Sequence, residues 1–597
     1  MTEQPDPDNL RQAFRVAVER HHFGNLEAAA AAYRAILTAE PAHAGALHLI
    51  GVIAGQRGDH RGALAWIEES LRHDPLSPEA HHNLGFNFER LGDFAQACDS
   101  YRRALALRPD YVEARSNLGN VLGELGQWHE AIEHYERVLA RDPANAAAYN
   151  NLGNALLNQR RPSEAVAAYR RAVELRPDHV NAHSNLLLAL NYDPQVEPEQ
   201  LFAEHRRWAA AHAPPAFAVN NPRGADDPHR RLRIGYVSGD FWRHAVATFF
   251  EPLITHHDRS HFEVFCYANT MRIDEVTRRL MAAADHWVSI AEIGDSQAAE
   301  GIRRDGIDIL VDLSGHTARN RLTLFGLRPA PVQVTWLGYP NTTGLDAMDY
   351  RLTDRIADPE GASDETYTEQ LVRLERPFVC YRPPDEAPPV SAPPALTQDH
   401  VTFGSFNSLI KITPDVVRLW SRILSALPES RLFLKARQLA DCEARTELLS
   451  QFAHNGIAAD RLDLAPMVIA KVEHLDMYRR VDIGLDPFPY NGATTTCEAL
   501  WMGVPVIVLR GKRHAARVGA SLLMAVGLDE LIAEDEDGYL QRAIGLARDR
   551  RRPVNLRFGL RDTMRGSPLC DAADFAVAVE GAYRSMWQAV FRMRLTR

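Results

Sequence analysis

Prolines fall at positions 41, 75, 109, 143 and 177, so every interval between them is 34 residues. Other positions keep the same register: Ala29, Ala63, Ala97, Ala131 and Ala165, then Tyr33, Tyr101, Tyr135 and Tyr169 with Ile67 in the gap. Leu84-Gly85, Leu118-Gly119 and Leu152-Gly153 recur as well, preceded by a weaker Ile50-Gly51. A period of this length constrains the first third of the chain strongly. Each unit is one helix–turn–helix whose apolar face cannot be buried alone, so neighbours must stack. Small Gly and Ala belong where two helices approach closely, Tyr fills the wider gap, and Pro marks the break after the second helix, whose interior it cannot enter.

A 34-residue period with this pattern is the signature of the tetratricopeptide repeat. Roughly five repeats span residues 10–179, followed by a further helix near 180–193 that reads Leu186-Leu187 where Leu-Gly is expected. One polar position keeps the period too: Asn83, Asn117, Asn151 and Asn185. In repeat numbering it lies on the first helix, which lines the concave face. Taken singly, each is a solvated or helix-packing Asn; four in register form a ladder suited to holding an extended peptide backbone without reading its sequence.

The remaining two thirds read differently. At 597 residues the chain is too long for one core, and two to four domains are expected. A net charge of −11 argues against general nucleic-acid binding, which needs a basic footprint. The six cysteines, Cys98, Cys266, Cys380, Cys442, Cys497 and Cys570, are scattered without a C-x-x-C pair, as in a reduced protein without a zinc site. The acidic, Pro-rich start is unlike a signal peptide, and no apolar run is long enough for a bilayer, so a cytoplasmic location is expected.

Residues 194–230 are rich in Pro and Asn and read as a connector. From Arg231, short apolar runs (231–240, 262–267, 307–313, 332–337) alternate with amphipathic stretches such as 274–284 and 296–304. The Pro-rich segment 382–394 interrupts this pattern, which restarts at 401–406 and continues through 431–434, 461–464, 482–485 and 504–509. Short buried strands alternating with helices predict parallel, doubly wound sheets, here in two lobes with a cleft between them. The boundaries read as 1–193 for the repeats, 194–230 for the linker, 231–396 and 397–570 for the lobes, and 571–597 for a last helix that crosses back.

Four segments at strand–loop junctions carry candidate chemistry. The first, Ser238-Gly-Asp-Phe-Trp-Arg-His244, puts a histidine where it could bind substrate or move a proton; by position alone a histidine there is more often structural. The second, Asp312-Leu-Ser-Gly-His-Thr317, runs on to the Gly-Tyr-Pro-Asn-Thr-Thr-Gly loop ending at Gly344. It offers His316, Thr317 and Asn341 as acceptor-side or cleft candidates, or a plain turn. The third ends in Lys411, placed at a helix start to meet phosphate, or on the surface like most lysines. In the fourth, Thr494, Thr495 and Thr496 open a helix with Glu498 one turn in: an anion cradle beside an acid able to hold ribose hydroxyls, with simple helix capping the plainer reading. Upstream, Lys471 and His474 are placed to cover a nucleotide. No Asp-x-Asp closes a strand, so no metal ligand set is assigned.

The repeats and these four segments together resemble the O-GlcNAc transferase / SPINDLY family of protein O-glycosyltransferases, over nearly the whole chain. The resemblance implies an α-helical repeat superhelix followed by two Rossmann-like lobes of the GT-B type. It also implies inverting transfer to Ser or Thr hydroxyls without metal or other cofactor. His244 then matches the active-site histidine and Lys411 the diphosphate-binding lysine. Lys471 and His474 match nucleotide contacts, and Thr494, Thr495 and Glu498 the phosphate and ribose site. The asparagine ladder matches the family's peptide-recruiting position.

Two motifs depart from the O-GlcNAc transferase pattern. Ala493 stands where a His-Thr-Thr cradle begins, and Ser408-Leu-Ile-Lys411 replaces Gln-Leu-Tyr-Lys. The forms Gly-Ser-Phe-Asn and Thr-Thr-Thr-Cys-Glu are closer to the SPINDLY branch, which implies GDP-fucose as donor, with UDP-GlcNAc the other expectation. Peptide substrates are the expected partners, with self-association through the repeats; nucleic acid and membrane are not. Two further readings stand beside this one: a repeat scaffold whose lobes bind nucleotide without turnover, and a transferase acting on a small molecule or glycan.

Overall fold

The computed structural model describes residues 7–214, 227–468, 470–549 and 551–595. The 34-residue period appears there as helix pairs: α1 (Pro7–His22) with α2 (Leu26–Ala39), α3 (Ala44–Gln56) with α4 (His60–His73), and α5 (Pro78–Leu91) with α6 (Phe94–Leu107). They continue as α7 (Val112–Glu124) with α8 (Trp128–Arg141) and α9 (Ala146–Asn158) with α10 (Pro162–Leu175). Each periodic proline lies two residues beyond the end of a second helix. Asn25, Asp59 and Asp93 cap the second helices of the first three pairs by accepting a backbone N–H three residues on. The glycine–tyrosine pairing follows from close approach. A Cβ on Gly85 would stand 2.8 Å from the Tyr101 ring, and one on Gly119 2.7 Å from Tyr135. At Gly51 it would meet Ile67, the residue that replaces Tyr in that repeat, at 2.7 Å.

The chain divides into two compact units, residues 1–156 and 157–597, so the last turns of the repeat pattern belong to the unit that holds the sheets. Leu187, in α11 (Val180–Leu190), occupies the position where earlier repeats have glycine. It is fully buried with Trp208, Val237 and Phe265, because its neighbour is no longer a repeat tyrosine but the first lobe. The span expected as a connector contains a fifteen-residue helix, α12 (Pro198–His212), which buries Leu201, His205 and Trp208. The Pro and Asn motifs of residues 215–226 lie outside the described residues.

Two parallel sheets follow. The first has the order β3-β2-β1-β4-β5-β6-β7, built from β1 (Leu232–Ser238), β2 (Phe262–Ala268), β3 (His286–Ser289), β4 (Ile309–Asp312), β5 (Val332–Thr335), β6 (Tyr350–Asp354) and β7 (Gln370–Leu374). The second has the order β10-β9-β8-β11-β12-β13, from β8 (Thr402–Ser405), β9 (Arg431–Lys435), β10 (Leu462–Ala465), β11 (Ile483–Leu485), β12 (Val506–Leu509) and β13 (Ile532–Ala533). In each sheet the strand order reverses once, between β1 and β4 and between β8 and β11. Ligands of doubly wound sheets bind beyond the carboxyl ends of such strands. All four candidate segments are the loops that leave these four strands. The C-terminal helix, Ala572–Leu595, returns to the first lobe: Glu580 accepts from His257 Nδ1 at 2.8 Å, and Phe575 packs 5.9 Å from Trp336.

Candidate active site

His244 caps α13 (Ala245–His256), its Nδ1 accepting the Val246 N–H at 3.3 Å. Asp240 lies 3.7 Å from the same nitrogen. Burial lowers the pKa of His244 against the pull of Asp240, which keeps the ring neutral, while burial raises Asp240. A cavity of about 270 Å³ opens beside it, lined by His244 and Thr248 from α13, Arg279 from α14 (Glu275–Ala283), Tyr381, and Lys471 with Thr494 from the second lobe. Sequence reasoning did not single out its charged wall. Glu251, 5% exposed, holds Arg279 through two hydrogen bonds of 2.7 and 3.0 Å, and Arg382 lies 3.5 Å from the same carboxylate.

Lys411 stands in the loop after β8. Its Nζ donates to the Asn491 carbonyl at 2.7 Å and lies 4.3 Å from the centre of the Tyr490 ring, so the lysine reaches the loop that leaves β11. Burial lowers its pKa and Asp486 opposes that shift; burial in turn raises Asp486. Asp486 also accepts from Gly492 N at 2.9 Å, and so ties down the turn before the threonines. Thr495 donates to Asn407 at 3.1 Å and Thr496 to Asp486 at 3.4 Å, whereas Thr494 lines the cavity. The three threonines therefore divide: one faces the cleft and two brace the loop.

Glu498 is 3% exposed, and both its oxygens are taken. Lys471 pairs with Oε1, and His474 Nε2 lies 2.8 Å from Oε2. Burial alone would raise this carboxyl, but His474 and Lys471 hold it at about 2. Its direct work is thus to anchor two cationic side chains, a role the ribose expectation did not include.

The acceptor-side candidates of the second segment are not brought to this cavity. His316 is fully buried. Its Nε2 meets the Thr343 carbonyl at 2.9 Å, and its ring packs edge-on at 4.6 Å against Trp208 of α12. The expectation of a cleft histidine fails because the connector folds into a helix that covers it. Thr317 closes its own turn by donating to Ser314 O at 2.7 Å. Asn341 donates to Asn191 at 3.3 Å and lines a second cavity of about 590 Å³, with Asp358 and Arg513.

The ladder positions differ in their bonding. Asn83 and Asn117 point their amide nitrogens at His48 and His82 of the preceding repeat, at 2.8 and 3.1 Å. Asn151 instead donates to Asn120 at 2.9 Å and accepts from Asn150 at 3.1 Å. Asn185 lies on α11, in the second unit.

Two parallel, doubly wound lobes that present a lysine, a threonine-opened helix and a histidine at their switch points define the GT-B class of glycosyltransferase, here preceded by tetratricopeptide repeats. Residues 209–381 and 392–579 match Glycosyl transferase family 41, and residues 23–78, 76–144 and 117–180 match tetratricopeptide repeats. The chain belongs to glycosyl transferase family 41, in agreement with the resemblance drawn from its motifs.

Over 406 residues, 67% of the chain, it is 44% identical to the Petunia hybrida protein named probable UDP-N-acetylglucosamine–peptide N-acetylglucosaminyltransferase SPINDLY. To the Arabidopsis thaliana protein SEC it is 33% identical over 372 residues, 60% of the chain. It spans 44% and 37% of the length of these two relatives. A solved structure of a lysine-to-methionine mutant of Thermobaculum terrenum O-GlcNAc transferase is 41% identical with a TM-score of 0.82, covering 87% of this chain and 98% of that one. Among the described residues no helix is long and apolar enough to cross a membrane.

Proposed function

We propose that this protein is an inverting, metal-independent protein O-glycosyltransferase. It moves a sugar from a nucleotide-sugar donor to Ser or Thr hydroxyls of polypeptides recruited by the repeats. The observation that carries this reading is the cavity that brings His244 of one lobe against Lys471 and Thr494 of the other. A donor held by the second lobe would there meet an acceptor presented by the first.

Transfer with inversion requires the acceptor oxygen to attack the anomeric carbon opposite the departing diphosphate, on which negative charge grows. Lys411 and the N-terminus of the helix Thr494–Trp501 answer that charge. Lys471, held by Glu498, adds a second cation. His244 accepts a backbone N–H at Nδ1, so the neutral ring carries its hydrogen on Nε2. It therefore orients an oxygen by donating to it, and the acceptor's proton leaves to another base.

For the donor, the motif forms favour GDP-fucose, whereas the names of the relatives point to UDP-GlcNAc. Binding and turnover of the two donors by the purified protein, with Lys411→Ala as control, decide between them. Preference for GDP-fucose, lost in the variant, supports the SPINDLY-like donor; preference for UDP-GlcNAc reverses that choice. Binding without turnover of either donor revives the scaffold reading.

A further inference from the structure

Lys435 ends β9, next to the switch strand β8, and is 2% exposed. A lysine this deeply buried needs a partner, because leaving an ammonium unpaired away from water is costly. Its Nζ lies 4.5 Å from the centre of the Phe406 ring and is hydrogen-bonded to Nδ1 of His474. An ammonium has three donors and no acceptor, so that bond takes the lone pair of Nδ1. The imidazole hydrogen is then on Nε2, which faces Glu498 at 2.8 Å, and Glu498 in turn pairs with Lys471 at the edge of the cavity.

We propose that Lys435 is a positioning residue of the donor site: it fixes His474 as the Nε2–H tautomer, and through His474 and Glu498 it sets where Lys471 meets the nucleotide. The donor part of this statement rests on the function proposed above; the tautomer part does not. Carboxylates and carbonyls commonly fix ring tautomers in functional sites, and here an ammonium does so from the opposite side. The charge count points the same way. Lys435 and Lys471 share a single carboxylate, Glu498, which leaves a surplus positive charge for a nucleoside diphosphate to neutralise. Burial lowers Lys435 to about 8, so the ammonium form needed for this bond persists at neutral pH.

The test uses the full-length chain labelled with ¹⁵N-histidine, with the His474 signals identified by their loss in His474→Asn. The wild-type protein is expected to show an unprotonated Nδ1 and a protonated Nε2 at His474. In Lys435→Met the ring should relax towards a mixture of tautomers. The Kd for GDP or UDP, whichever the wild type binds, should weaken about tenfold, as for loss of one buried hydrogen bond to a charged group. Lys435→Arg, which keeps a cationic donor, should recover most of that affinity. A protonated Nδ1 in the wild type overturns the proposal without any variant. So does a Lys435→Met protein with unchanged tautomer and unchanged affinity. If the wild type shows the expected tautomer but binds neither nucleotide, the donor reading fails and the tautomer assignment stands.

Discussion

The guanidinium of Arg160 donates two hydrogen bonds, of 3.0 and 2.6 Å, to the carbonyl of Ile412, the residue that follows Lys411. Arg160 sits between α9 and α10 with a positive φ of 64° and is 9% exposed. A third bond, to Gln451 at 2.8 Å, fixes the same group. The end of the repeat pattern thus holds the loop that presents Lys411. Arg160→Met should cost about 1–3 kcal/mol of stability, since it leaves a buried carbonyl unpaired. It should also lower turnover by displacing Lys411. A thermal melt together with kcat checks this; a melt shift with unchanged kcat would separate the brace from catalysis.

Lys411→Ala is expected to lower transfer about 10²–10³-fold, the range seen when one group that stabilises transition-state charge is removed. The fold should persist, because the lysine's hydrogen bond is to the Asn491 carbonyl, and Asp486, which opposes its pKa shift, keeps its own bond from Gly492 N. Circular dichroism and initial rates under saturating donor measure both quantities. Retained activity would remove Lys411 from the mechanism.

For His244 the expected role is hydrogen-bond donation, and the pH profile tests it. Burial lowers its pKa, so the neutral donor form is complete at neutral pH and is lost only as pH falls below the ordinary imidazole range. The acidic limb of kcat/KM, where His244 governs it, should therefore lie below about 6.5. His244→Asn, which can still donate, should keep more activity than His244→Ala. Equal losses in the two variants would argue for proton transfer by the ring instead.

Much of this was legible in the sequence because the informative signals were local. A 34-residue period and short apolar runs report helix pairs and buried strands wherever residues meet their near neighbours. β6 was hidden because Arg351, 1% exposed, interrupts its apolar pattern. The charge is accommodated by the Tyr339 and Asn341 carbonyls at 2.9 and 2.8 Å, contacts no periodicity reveals. β3 is short with both ends exposed, and β13 has two residues. The candidate residues were legible where they follow strand ends, as His244 follows β1 and Lys411 follows β8. Others were not, where a distant element decides the environment: α12 buries His316, and Lys435 meets His474 across 39 positions.

The repeat glycines give a stability prediction for the first unit. A Cβ at Gly119 would fall 2.7 Å from Tyr135 Cε1, inside any normal contact, and Tyr135 is 4% exposed and cannot swing away freely. Gly119→Ala gains helix propensity, yet overpacking of this kind typically costs about 1–3 kcal/mol. Pairing it with Tyr135→Phe should not relieve the clash, because the contact is with the ring and not the hydroxyl. Denaturant unfolding of both variants decides the point, and a stabilised single variant would show that the two helices can separate at little cost.

The histidines around α12 predict acid sensitivity of the second unit. His205 accepts no charge readily: its Nδ1 meets the Leu201 carbonyl at 2.7 Å, its Nε2 meets the Tyr339 hydroxyl at 2.9 Å, and burial lowers it to about 4. His212 is likewise lowered to about 4 by burial, with His183 adding to the shift. His316 is pushed well below its ordinary value by burial and by His205. In the unfolded chain all three take a proton near 6.5, so between about pH 6.5 and 4 the unfolded state binds more protons than the folded one. Stability is therefore complete above that window and falls as pH drops through it, by on the order of 1–3 kcal/mol for the fully buried His205. His205→Phe removes one titrating group from the cluster. Its melting temperature should decline less steeply between pH 6.5 and 4 than that of the wild type, even if it starts lower for want of the Tyr339 bond. Parallel curves for the two proteins would show that His205 is protonated in the folded state and that its burial does not control the acid transition.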